Sequence, residues 1–289
     1  MNHSPLLLRT ILDLRANTAS WHSEGLTVGM IATMGALHEG HLALVAEARR
    51  RADRIVATIF VNPAQFAPTE DFAAYPRTEA SDIAKLAALG VEAVFVPSAA
   101  EIYPPRHATT IALTGPALGL ETDFRPHFFQ GVATVVAKLL IGGFPDVAVF
   151  GEKDYQQLLV VRQMVADLRL PTEIVGLATI READGLALSS RNAYLSPDER
   201  RIAPRLAAVL NETAAAIGAG GDAAAFLQRG LNALEAAGFH PDYLELRHAE
   251  TLARPVQGSE EPLRLLAAAW LGKTRLIDNI AVKAAEAGM

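Results

Sequence analysis

The run Val28-Gly29-Met30-Ile31-Ala32-Thr33 passes through Met34-Gly35-Ala36-Leu37-His38-Glu39-Gly40-His41 into Leu42, Leu44, Val45 and Ala48 at helical spacing, and then reaches Ile55-Val56-Ala57-Thr58-Ile59-Phe60-Val61. A continuous apolar run is a strand buried on both faces, and the period-3.6 stretch between two such runs is a crossover helix. The three together form one βαβ unit, with a glycine- and histidine-containing turn where the first strand gives way to the helix.

Reading outward, the alternation continues. A helix is expected near Asp82 to Leu89, a strand at Val91 to Val96, an edge strand at Thr109 to Leu113 and a helix from Gly131 to Ile141. A strand at Asp146 to Phe150, a helix from Asp154 to Leu168 and a strand at Glu173 to Ile180 follow. The pattern predicts an α/β domain over residues 1–181, a parallel sheet with helices on both faces. Beyond Arg181 the rhythm changes. Ser196-Pro197-Asp198-Glu199 carries a capping-box pair with Pro at the first helical position and opens a helix to Ile217. Gly218-Ala219-Gly220-Gly221 stops it, an Ala-rich helix runs to Ala237, and strands are expected at Tyr243 to Arg247, Leu263 to Trp270 and Thr274 to Ile280. Residues 182–289 thus read as a smaller α+β domain.

At 289 residues and 51% hydrophobic, the chain can bury a proper core and is too apolar for disorder. Its net charge of −6 disfavours nucleic acid as a partner. The absence of cysteine removes disulfides, thiolate zinc sites and thiol nucleophiles. The apolar stretch from Gly131 to Phe144 is interrupted by Lys138 and too short to span a bilayer, and Met1 to Asp13 lacks the features of a signal peptide. A cytoplasmic protein with no nucleic-acid or membrane partner is expected.

Four segments can carry chemistry. The turn Met34 to His41 stands at a strand's carboxyl end and a helix N-terminus, where an anion is favoured, and it brings two imidazoles and two glycines. Surface histidines, a zinc pair and a helix cap are the competing readings; the combination favours phosphate chemistry. Asn62 and Gln65 follow the second strand, and their amides suit a hydroxy acid, although Asn62-Pro63 is also a turn dipeptide. Gly151-Glu152-Lys153-Asp154, with Gln157 one helical turn beyond Lys153, offers a cation for phosphate and a carboxylate for a hydroxyl or metal, and reads equally as a solvated helix start. Leu188-Ser189-Ser190-Arg191-Asn192 offers two hydroxyls and a guanidinium to phosphate oxygens where the second domain begins, or serves as a linker. Asp82 stands near a helix start, as a cap or a help in holding Mg²⁺.

Together with Tyr75-Pro76-Arg77-Thr78, Glu101-Ile102-Tyr103-Pro104, Ala269-Trp270-Leu271-Gly272 and Arg275-Leu276-Ile277-Asp278-Asn279, these segments resemble the pantothenate synthetase (pantoate–β-alanine ligase) family of the His-x-Gly-His nucleotidyltransferase superfamily. The resemblance implies a Rossmann-like sheet domain with a smaller lid domain. It implies a two-step ligation of pantoate and β-alanine that consumes ATP through a pantoyl adenylate, with Mg²⁺ on the phosphates, in a homodimer. It implies that Met34, Gly35, Ala36, Leu37, His38, Glu39, Gly40 and His41 line the ATP site, with His41 as proton donor and His38 beside it. Gly151, Glu152, Lys153, Asp154, Ile180, Leu188, Ser189, Ser190 and Arg191 complete that site, Lys153, Ser190 and Arg191 lying on the phosphates. Gln65 and Gln157 hold pantoate, and Gln65 also meets β-alanine. An adenylyltransferase of the same fold is the alternative. Two positions depart from the family pattern: Ala32 stands for a Pro, and in Arg125-Pro126-His127-Phe128 the family's His position is Phe128 while His127 replaces a Gly. Weaker or shifted pantoate binding is expected from the second.

Overall fold

A computed structural model describes residues 4–66, 72, 75–256 and 261–283, so the first three residues of the opening segment read above lie outside it. The chain forms two compact units, Met1–Glu152 with Gln157–Ala178, and Lys153–Gln156 with Thr179–Met289.

The first unit runs β1 (Leu6–Leu8), α1 (Ile11–Ser23), β2 (Val28–Thr33), α2 (Glu39–Arg49), β3 (Arg54–Ile59), α3 (Glu79–Ala88), β4 (Ala93–Phe95), α4 (Ala99–Ile102), α5 (Glu121–Phe124), α6 (Phe128–Gly143), β5 (Val147–Gly151), α7 (Tyr155–Asp167) and β6 (Glu173–Leu177). The first residues of α7, Tyr155 and Gln156, belong to the second unit. The six strands form one sheet in the order β1-β4-β3-β2-β5-β6, and every pairing is parallel. Successive side chains of a strand point to opposite faces, so an all-apolar strand feeds two cores. Met30, Val56, Phe95, Ala148 and Phe150 pack on one face with Leu14 of α1, Val132 and Val136 of α6 and Leu158 of α7. Ile31, Ile55, Ala57, Val94 and Val149 pack on the other with Val45 and Ala48 of α2 and Leu86 of α3.

The expected edge strand at Thr109 to Leu113 does not form. The amide of Ile111 donates instead to Thr134 Oγ1 of α6 at 2.9 Å, which holds this segment against a helix rather than a strand. β1 and α1 were not expected: β1 is only three residues long, and α1 mixes polar and apolar residues around its circumference. Thr10 starts α1, its Oγ1 accepting from the Asp13 amide at 3.1 Å.

The second unit contains α8 (Pro197–Ile202), α9 (Arg205–Gly218), α10 (Ala223–Ala236) and an antiparallel sheet β7 (Phe239–His248), β8 (Leu263–Leu271) and β9 (Thr274–Val282) in that order. The single helix expected from Pro197 to Ile217 is two helices, because Pro204 has no amide hydrogen to continue the ladder. Leu206, Leu210, Leu234, Phe239, Leu244 and Leu265 form its core. Among the described residues, no helix is long and apolar enough to cross a membrane.

Gly131 of α6 packs directly on the 3-10 turn Pro63–Gln65: a Cβ there would overlap the Ala64 carbonyl and stand 2.8 Å from the Gln65 amide nitrogen. Backbone cannot yield as a side chain does. Gly131→Ala should lower unfolding free energy by about 1–3 kcal/mol in urea titration; an unchanged midpoint and slope would contradict this packing.

Candidate functional site

β2 pairs with β3 on one side and β5 on the other, so the chain leaves β2 toward one half of the sheet and β5 toward the other. Such a switch point opens a crevice at the carboxyl ends of the two strands. The first predicted segment leaves β2 there. Gly35 (φ +84°) and Ala36 (φ +52°) both turn in the left-handed region, which costs about 1–2 kcal/mol at alanine. A Cβ at Gly35 would stand 3.1 Å from Asp82 Oδ2 and 3.2 Å from Ile59 Cγ2.

His38 is the N-cap of α2 and His41 its third residue, and the two make a capping box. His38 Nδ1 accepts from the Gly40 amide at 3.1 Å, and His41 Nδ1 accepts from the His38 amide at 3.3 Å. A ring nitrogen that accepts carries no proton, so each neutral imidazole keeps its proton on Nε2. The ring centroids are 4.1 Å apart.

Three amides of the turn are taken up inside the protein. Gly35 donates to Thr33 Oγ1 at 3.2 Å, Ala36 to Asp82 Oδ2 and Leu37 to Asp82 Oδ1, both at 2.9 Å. The Leu37 carbonyl accepts from Lys85 Nζ at 2.6 Å, and its side chain is buried in the core. The amides of Gly35, Ala36 and Leu37 are thus satisfied inward, and the imidazoles are the side-chain donors of this segment. Asp82, completely buried, is therefore more than a cap of its own helix: its carboxylate holds the turn.

After β3, Gln65 Nε2 lies 3.0 Å from Met34 Sδ, which brings the amide expected for the acid beside the histidine turn. Asn62 does not share that role. It is buried, and its amide donates to Gln65 Oε1 and the Gly131 carbonyl, both at 3.1 Å. Its Oδ1 accepts from the Ala64 amide at 3.2 Å and from the Tyr103 hydroxyl at 2.7 Å. Arg125 donates to the Gln65 carbonyl at 3.3 Å, lies 3.7 Å from Glu121 and stacks over Phe128, 3.8 Å from the ring centre. His127 is exposed and caps no amide of α6.

Gly151 ends β5, and Glu152–Asp154 form a 3-10 turn. Of the predicted residues, Met34 to His41, Gln65, Gly151, Glu152 and Gln157 belong to the first unit, and Lys153, Asp154, Ile180 and Leu188 to Arg191 to the second. In the second unit a hairpin joins Ile180 to Leu188, whose amide donates to the Ile180 carbonyl at 2.9 Å. Ser189 Oγ then accepts from the Arg191 amide at 3.3 Å, starting the 3-10 turn Ser190–Tyr194. Arg200 clasps Glu182 and Asp184 below the hairpin and holds the Asp184 carboxyl below its usual range. Arg181 meets the buried Asp278 with two bonds at 2.6 and 2.9 Å. The buried Asn279 donates to the Lys153 carbonyl at 2.9 Å and accepts from Arg264, whose guanidinium covers the Tyr155 ring.

Sequence reading weighed Asp82 only as a cap or a help in holding Mg²⁺ and missed its bonds to the turn, as it missed the partners of Arg125 and Arg181. The signal for Asp82 is a carboxylate four residues before Leu86, on the buried stripe of α3.

Burial pushes the Tyr103 phenol up to about 12, although its bond to Asn62 acts in the opposite direction. The raised folded value makes this contribution complete below the unfolded value near 10 and lost as pH rises toward 12. Urea midpoints should fall more steeply above about pH 10 in the parent than in Tyr103→Phe, and parallel profiles would contradict it.

Residues 6–281 match the model of the Pantoate-beta-alanine ligase family. A pantothenate synthetase of Bradyrhizobium sp. is 56% identical over 98% of this chain and 100% of its own length. The crystal structure of pantothenate synthetase from Thermus thermophilus superimposes with a TM-score of 0.88 at 47% identity, covering 96% of this chain and 99% of that one. The pantoate–β-alanine ligase of Francisella tularensis, solved in complex with β-γ ATP and β-alanine, gives a TM-score of 0.81 at 32% identity over 96% of this chain and 97% of its own. The chain belongs to the pantoate–β-alanine ligase family, the pantothenate synthetases.

Proposed function

We propose that this chain condenses pantoate with β-alanine at the expense of ATP, through a pantoyl adenylate held on the protein. The observation that carries the reading is the juxtaposition of Gln65 with Met34, an amide for a hydroxy acid beside two imidazoles on one helix start. In the first step a pantoate carboxylate oxygen bonds to the α-phosphorus of ATP while the bond to the bridging oxygen breaks and pyrophosphate leaves. In the second, the β-alanine amine attacks the acyl carbon, loses a proton and expels AMP. Neither step uses a protein nucleophile, so the chain's contribution is positioning and charge stabilisation.

His38 and His41, through Nε2, meet phosphate oxygens whose charge grows during attack, as do Lys153, Ser190 and Arg191. Gln65 and Gln157 orient pantoate, and Gln65 reaches β-alanine in the second step. Met34 to His41, Gly151 to Asp154, Ile180 and Leu188 to Arg191 form the nucleotide's surroundings. Mg²⁺ accompanies the ATP phosphates: among the described residues no three carboxylate or imidazole side chains gather as a metal cage, and Asp154 is a half-exposed carboxylate. That donor set fits an ion that keeps its waters and most of its ligands from the substrate. The Phe128 side chain gives Arg125 a ring face and has no hydrogen-bonding atom of its own, which supports weaker pantoate binding than an imidazole would allow. A homodimer working in the cytoplasm completes the proposal, on family resemblance.

The test is product analysis with ATP, Mg²⁺ and pantoate, with and without β-alanine. Pantothenate and AMP should accumulate only with both substrates, and His41→Ala should lower kcat by about 10²–10⁴-fold without loss of fold. A product that retains AMP would replace the ligase by an adenylyltransferase.

A further inference from the structure

Asp82 has no part in the scheme above, yet it holds two consecutive residues of the histidine turn. Its carboxylate is completely buried, and both oxygens are used: Oδ1 accepts from the Leu37 amide at 2.9 Å, and Oδ2 from the Ala36 amide and the Thr78 hydroxyl, each at 2.9 Å. Lys85, one turn along α3, reaches the Leu37 carbonyl at 2.6 Å, so one helix grips both sides of the same residue. A buried carboxylate is retained only where donors replace its lost water, and here two of its three donors are the amides of consecutive residues. One of those residues, Ala36, is non-glycine with φ +52°. The turn is thus a conformation that alanine resists, and the carboxylate supplies the compensating bonds.

We propose that Asp82 is a positioning residue for nucleotide binding. By drawing the Ala36 and Leu37 amides inward it fixes the turn that delivers His38 to the N-cap of α2, and so aims both imidazoles at the phosphates. It acts through the turn and touches no substrate. The inference rests on the ATP site proposed for Met34 to His41.

Asp82→Asn tests it, because the side chain keeps its shape but sets an NH₂ group against one of the two amides. ATP affinity by titration calorimetry, the KM of each substrate and the thermal midpoint are measured on parent and variant. The expected result is an ATP Kd raised at least tenfold in folded protein, with the KM for β-alanine within about twofold of the parent. A merely structural role would lower the midpoint and leave the ATP Kd of the folded protein unchanged. If Asp82→Asn does not fold, Thr78→Ala decides: it removes one of three bonds and should raise the ATP Kd two- to fivefold. Parent-like ATP binding in whichever variant folds overturns the proposal alone. A parent that binds no ATP overturns the functional reading and the proposal together.

Discussion

The parallel pairing of β2 with β5, with Gly29 opposite Val147 and Met30 opposite Ala148, is the constraint on which the rest depends. It is short, only two residue pairs, and it joins two strands whose connections run to opposite halves of the sheet. Because the connections part there, the ends of β2 and β5 are not roofed by a shared crossover helix. The sheet around them is secured by two apolar faces, and that rigidity lets the turn after β2 carry strain.

The turn shows how polar groups divide the work. Asp82, Thr33 and the two Nδ1 atoms satisfy the amides of Gly35, Ala36, Leu37, His38 and Gly40, and a buried donor left unsatisfied would cost about 1–3 kcal/mol. The Nε2–H groups are the strong side-chain donors of this segment, and they are the ones the proposed chemistry uses. A similar division governs the acid side: Asn62, Tyr103 and the Gly131 carbonyl hold the turn after β3, and Gln65 is the amide turned toward Met34. The missing Cβ at Gly131 and the hydrogen bonds of Asn62 serve one end, a fixed distance between Gln65 and the histidine turn.

Much of this was legible in the sequence. Continuous apolar runs announced strands buried on both faces, and the turn residues after Thr33, Val61 and Phe150 marked strand ends that the parallel sheet gathers along one edge. The capping-box spacing of Ser196 and Glu199 predicted the start of α8. Short or weakly patterned elements escaped: three residues of β1 carry no period, and α1 lacks a clear apolar stripe. Pro204 is a break that apolar periodicity on both of its sides conceals. The deeper gaps are long-range. Asp82 meets Leu37 across 45 residues, Tyr103 meets Asn62 across 41 and Asn279 meets Lys153 across 126. No local pattern encodes such partners; only the closed sheet and the packed unit bring them together. The same limit hid the partner of Ala36 and Leu37, whose amides a carboxylate from another helix occupies.

The central claim is that the capping box sets both imidazoles as neutral Nε2–H donors toward the nucleotide. Long-range ¹H–¹⁵N spectra of the histidine rings, recorded at neutral pH with and without ATP, test it most directly. The account predicts Nε2–H tautomers for His38 and His41 in the free protein, with both Nε2 resonances shifting when ATP is added. An Nδ1–H tautomer at either ring, or ATP binding that leaves both unmoved, would contradict it.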